Sequence, residues 1–153
     1  MREIKFRGHN GGEWLYDSII SIQQYGNVTH CFMPNEKNKS DQDDINNWDG
    51  VCYVGEYTGC KDGNGVEIYE GDIVRRPAYS EEERDYIGDI VGLYHIPEKI
   101  GEVIMYEGAW CLKFELNEKK VLNPFFEMME FDRFDLIEVI GNIYENKNLL
   151  EEE

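Results

Sequence analysis

Along most of this chain apolar residues recur at every second position rather than every third or fourth. Glu3 to Arg7 alternates charge with Ile4 and Phe6, the period of a half-exposed strand. His9-Asn10-Gly11-Gly12 reads as a turn, and Trp14 to Ile22 as the return, so the N-terminal pattern predicts a β-hairpin. Val28 to Met33 is a further short strand, stopped by Pro34. Val51 to Tyr57 is rich in β-formers and is followed by a turn at Thr58-Gly59. The run Lys61-Asp62-Gly63-Asn64-Gly65 carries the strongest turn signal, because D-G and N-G both supply the positive φ of a tight hairpin. Val66 to Tyr69 follows as a strand, and Glu70-Gly71 swings the chain into Asp72 to Arg75.

Residues 77–100 break this rhythm. Pro77 stops the strand, and Ser80-Glu81-Glu82-Glu83-Arg84 has the form of an N-capped helical turn with acids at its start. Ile87 to Ile96 is apolar but interrupted by Gly88 and Gly92, so the segment reads as an insertion with one short strand. The alternation then returns. Val103 to Tyr106 is a strand, Glu107-Gly108 its turn, and Ala109 to Leu116 the partner. On that partner Trp110, Leu112, Phe114 and Leu116 share one face, with Cys111, Lys113 and Glu115 on the other, the pattern of one buried and one wet face. The stripe is read as core rather than as a ligand box. Asn117-Glu118-Lys119-Lys120 makes another turn, and Phe125 to Phe131 fits a short helix or a strand equally. Leu136 to Tyr144 is a β-branched strand with Gly141 as a bulge, and 146–153 a tail with a helical turn around Leu149 and Leu150. Short strands with Gly-rich turns and no four-turn helix predict a mainly β sandwich or barrel.

Composition narrows the class. The chain has 153 residues, 13% of them aromatic, which opposes a disordered acidic tail and fits one domain. Its net charge of −17 opposes ordinary phosphate-backbone binding, which needs a basic stripe. The charge is uneven: zero over 1–35, −7 over 36–72, −3 over 73–124 and −7 over 125–153. Five of the ten acids of the second block lie in 36–50, a long polar loop with Trp48 as its one aromatic residue. Most of this charge reads as a solvated face.

Candidate chemistry is sparse. Asp41, Asp43, Asp44 and Asp49 suggest a calcium loop, but Asn46 stands where an EF-hand starting at Asp41 needs Gly, and no Glu closes it. The glycines between 59 and 71 lack the Lys-Ser/Thr ending of a P-loop. Cys31, Cys52, Cys60 and Cys111 form no C-x-x-C pair and read as small buried hydrophobes. His9, His30 and His95 are too scattered for a zinc site. Asn27-Val28-Thr29 and Asn38-Lys39-Ser40 match the glycosylation pattern only by chance. With no signal-peptide or membrane-span pattern, the expectation is a cytoplasmic protein. No catalytic, cofactor-binding or metal-binding residue is assigned.

Four blocks carry a resemblance. MREIKFR at the start, VGEYTGCKDGNGVEIYEGDIV at 54–74, GEVIMYEGAWCL at 101–112 and EVIGNIYENKNLL at 138–150 resemble, in order, the YopX-like family of bacteriophage and prophage proteins. The pattern of the family departs from this chain at 35–50 and 75–100. The resemblance implies a β-rich fold with an SH3-type small barrel, expression in a bacterial cytoplasm, and no known activity. The expected organisation is a single YopX-like domain over 1–153, with little helix. It comprises N-terminal strands at 1–35, an acidic loop at 36–50, a barrel core at 51–145 with its insertion near 77–100, and a tail at 146–153.

The expected function is a non-enzymatic protein-binding or assembly module, with the 36–50 loop and the 77–100 insertion as contact elements. Its partner is expected to be a protein, with homo-oligomers allowed by exposed strand edges, and neither nucleic acid nor membrane favoured. Two alternatives stand beside it. One is an acidic DNA mimic that occupies a basic host protein, the other an enzyme without a recognisable motif. A nucleic-acid site built from Arg75-Arg76, Lys119-Lys120 and the Arg2 to Arg7 arm is the weakest reading.

Overall fold

The computed structural model describes residues 3–116, 119–124 and 136–151. The fold is mainly β, with only short 3-10 turns beside the strands among the described residues. No described helix is long and apolar enough to cross a membrane. Contacts divide the chain into two compact units, residues 1–60 with 67–70, and residues 61–66 with 71–153.

The first unit is an antiparallel sheet in the order β2-β1-β5-β4-β3, built from β1 (Phe6–His9), β2 (Trp14–Asp17), β3 (Ser21–Tyr25), β4 (Val28–Met33) and β5 (Asp49–Lys61). A short β6 (Glu67–Tyr69) also pairs with β5. The predicted N-terminal hairpin is present as β1 and β2, with Phe6 opposite Asp17 and His9 opposite Trp14. Two boundaries differ from the sequence reading. The first strand starts at Phe6, not Glu3. The return strand ends at Asp17, whose carboxylate accepts from the Ile19 amide and turns the chain into β3.

Thr58-Gly59 does not turn the chain either. The strand runs on to Lys61, because Gly59 takes a φ of +86° inside it and the Thr58 hydroxyl bonds to the Ile68 carbonyl across the ladder. At the other end of β5, Tyr53 holds a φ of +56° where the register between β1 and β5 slips, a bulge paid for in backbone strain. Leu15, Met33, Tyr57, Ile68 and Tyr69 are buried. So is Arg7, whose guanidinium lies 4.9 Å from the Trp14 ring and 5.0 Å from the Tyr69 ring and donates to the Glu70 carbonyl.

The 36–50 loop is tied to itself. Asn38 and Gln42 donate to the Asn47 carbonyl, and a 3-10 turn, Ile45–Asn47, is capped by Asp44.

The second unit is a five-stranded antiparallel sheet in the order β12-β11-β10-β7-β13. Its strands are β7 (Asp72–Arg76), β10 (Lys99–Tyr106), β11 (Ala109–Leu116), β12 (Lys119–Pro124) and β13 (Glu138–Asn142). Ile73, Val74, Val103, Leu112 and Ile137 form its buried apolar set. Gly141 is the bulge the sequence suggests, since the register with β7 shifts between Val139 and Gly141. The tail turn is also present, as a 3-10 segment at Lys147–Leu150. The face of β11 opposite the aromatic stripe is not wholly wet, because Cys111 on it is buried. Phe125 to Phe131 lies outside the described residues.

The largest departure is at 77–100. Two strands stand where one was expected, β8 (Tyr79–Arg84) and β9 (Ile90–Ile96), paired as a separate two-stranded sheet. The Ser80-to-Arg84 segment is therefore strand, not a capped helical turn. A five-residue helix pays the full nucleation cost for very few bonds, whereas the β-branched run after the turn offers a partner at every position. Asp85 makes that turn: its carboxylate accepts from the Ile87 and Asp89 amides, and Gly88 supplies a φ of +92°.

Candidate functional site

Among the described residues of the second unit, the β8–β9 hairpin carries the most exposed apolar side chains. Leu93 is 74% exposed and Tyr86, at the turn, 98%, while Ile87, Ile90, Val91 and Tyr94 are all more than half exposed. The pairing sets Glu81 opposite Tyr94 and Glu82 opposite Leu93, so carboxylates flank the apolar side chains on both faces of the ribbon. Two strands alone are marginal in water, and exposed apolar side chains clustered on such an element mark a contact surface. The base is anchored by Arg76, which is buried, donates to the Pro97 carbonyl and lies 5.2 Å from the Tyr79 ring.

The other expected contact element behaves differently. Trp48 is half-buried and its indole N–H donates to the Gln42 carbonyl at 2.7 Å, which staples the 36–50 loop. Several carboxylates of that loop are engaged by internal hydrogen bonds. Asp41 accepts from the Asp43 amide, and Asp49 from the Asn10 and Asn35 side-chain amides. No group of three or more metal-ligating side chains is placed to hold an ion among the described residues.

The first unit carries an open groove of about 360 Å³ lined in part by His9, His30, Phe32, Gly50 and Cys52. His9 Nδ1 accepts from the Gly11 amide, and the Cys52 thiol donates to the His9 carbonyl rather than to its ring. Cys52 is exposed, against the expectation that the cysteines are buried; Cys111 meets it and Cys31 and Cys60 are intermediate. Burial holds the Cys60 thiol above its usual pKa, which lowers its thiolate fraction at neutral pH. Iodoacetamide on the native protein should therefore label Cys52 first, roughly ten-fold or more faster than Cys60, with Cys111 last. Peptide mapping by mass spectrometry over a time course gives the order; equal rates at all four would contradict the structure.

Three of the residues proposed for a basic patch are spent on internal contacts. Arg7 is buried between two rings. Arg75 pairs with Glu138 and Glu98, and the Glu138 hydrogen bond raises its already high pKa further. Arg76 is buried at the hairpin base. Arg2 lies outside the described residues, as do the side chains of Lys119 and Lys120.

No protein of curated function matches the sequence. Among solved structures, the crystal structure of protein EF1440 from Enterococcus faecalis is similar at 21% identity and a TM-score of 0.43. That match covers 96% of this chain and 97% of that one. The model of the family described as YopX protein matches residues 5–151, taking in both units and the hairpin between β7 and β10. The chain belongs to the YopX family.

Proposed function

We propose that this chain is a non-enzymatic protein-binding or assembly module that works through the β8–β9 hairpin. The supporting observation is the exposure of Tyr86, Ile87, Ile90, Val91, Leu93 and Tyr94 on one two-stranded element. Keeping that much apolar surface in water costs roughly 25 cal/mol per Å² relative to burying it, and a partner that covers it recovers this term. The family resemblance adds a phage or prophage origin, action in the bacterial cytoplasm, and an SH3-type barrel, a reading to which the five-stranded antiparallel sheet of the second unit lends support.

Substitutions on the exposed side chains test the reading without touching the core. Tagged wild-type chain and a Leu93→Ser/Tyr94→Ser variant are used to capture proteins from a bacterial lysate. The expected result is a defined protein set retained by wild type and reduced at least ten-fold by the variant, with the circular dichroism spectrum unchanged. Equal recovery by both chains would remove the hairpin from the interface and the reading with it.

A further inference from the structure

The two strands of the hairpin differ at their outer edges. β8 carries Glu81, Glu82, Glu83 and Arg84, whereas β9 reads Ile90-Val91-Gly92-Leu93-Tyr94-His95-Ile96, without an acid, a Lys, an Arg or a Pro. Charges and prolines are what keep a strand edge from pairing with another chain. The other described edges are guarded or poorer in apolar residues: β2 ends in Asp17, β12 carries lysines and Pro124, β13 carries Glu138, and the uncharged β3 alternates Ile22 and Tyr25 with Ser and Gln. Beyond β9 the ribbon has no further strand among the described residues.

We propose that the β9 edge is a self-association surface, on which a second copy of this chain pairs antiparallel in a register centred on Leu93. That register sets Leu93 opposite its own mate, Ile90 opposite Ile96, and Gly92 opposite Tyr94. An aromatic ring laid over a cross-strand glycine is a known stabilising device in sheets, and this pairing supplies it twice. The bulge between Glu83 and Arg84 leaves Val91 without a partner on β8, so the pairing is tightest over the symmetric centre, Gly92 to Tyr94.

Charge decides in favour of a second copy over a basic strand. A strand laid along β9 meets no Lys, Arg, Asp or Glu directly. In the four-stranded ribbon β8-β9-β9-β8, the two acidic strands lie three spacings apart, about 14 Å at ~4.8 Å each. That exceeds the ~8 Å screening length at physiological salt. Two chains of −17 still repel over long range, so association strengthens as salt rises, opposite to an acid–base complex.

The inference rests on the hairpin being the contact element, and its test separates the two. The full chain is examined by sedimentation equilibrium at 20–500 μM in low, physiological and about 0.5 M NaCl. Wild type should pass from monomer toward dimer with protein and salt, whereas Leu93→Lys, at an exposed position, should stay monomeric throughout. In a Cys52→Ser background, Leu93→Cys should form a disulfide-linked dimer in air, because opposed residues in an antiparallel pair lie within disulfide reach. The Cys52→Ser parent should not. A wild type that stays monomeric in high salt, or a dimer that persists in Leu93→Lys, overturns the inference. If the monomer result comes with continued loss of captured protein by Leu93→Ser/Tyr94→Ser, the binding reading survives and only self-pairing falls; if capture is unaffected too, both fall.

Discussion

Asp62→Ala should destabilise the second unit by about 3 kcal/mol, as three hydrogen bonds to a charged acceptor are lost at once. One carboxylate oxygen of Asp62 accepts from the amides of Asn64 and Val66 at 2.9 and 2.8 Å, shaping the Gly-rich turn. The other accepts from the Val139 amide at 2.9 Å, next to the bulge of β13. Asp62 is only 7% exposed, so water cannot readily replace the lost acceptor. A second bond, from the Gly63 amide to the Ile137 carbonyl, holds the same two segments together and survives the substitution. Asp62→Asn keeps one carbonyl oxygen and should lose about half as much. Urea unfolding followed by circular dichroism measures both. A loss under ~1 kcal/mol for Ala would show that the turn holds without its carboxylate.

Gly101→Ala should cost about as much, roughly 3 kcal/mol, for a steric reason instead of a polar one. Gly101 is buried in β10, opposite Val74 of β7. A Cβ there would stand 2.6 Å from the Lys113 carbonyl oxygen and 2.8 Å from Leu112 Cδ1. The carbonyl is backbone, so β10 and β11 must move apart at the most buried point of the sheet, where Leu112 and Val103 have no exposed surface. Gly50→Ala is the matched control. Its Cβ would meet only the Phe32 ring at 3.9 Å, and its stability should change by less than ~0.5 kcal/mol. Equal effects at the two glycines would argue that Gly101 is not packed as described.

The legibility of the fold tracks the range of the interaction that makes each element. Strands β4, β7, β11 and β13 and the turns at Gly11, Gly65, Gly71 and Gly108 follow from local alternation and from glycines that take positive φ. The Gly141 bulge is legible as a lone glycine inside a β-branched run. The misreadings arise where a distant partner outweighs a local preference. Thr58-Gly59 looks like a turn until the Thr58 hydroxyl is bonded to Ile68 across the ladder. Ser80 to Arg84 looks like a helix start until β9 pairs with it.

The candidate contact surface was half legible. The 77–100 segment stands out in the sequence as an insertion, but its acids suggest a solvated helical turn. One signal could have found the hairpin: Asp85 and Gly88 between a polar run and a β-branched one, the composition of a hairpin loop. That the apolar strand remains uncovered could not have been found this way, because alternation predicts which residues could be buried and not whether another element arrives to bury them.

The sequence by itself therefore determined the β class, most of the turns, the uneven acidic charge and membership of the YopX family, all of which depend on local pattern or on motif order. The tertiary structure decided which of those patterns found a partner. It spent Arg7, Arg76, Trp48 and Asp62 on internal contacts and left β9 open. The physical reason is that pairing and burial are set by residues tens of positions apart, Asp62 to Val139 among them, and a local period carries no record of them.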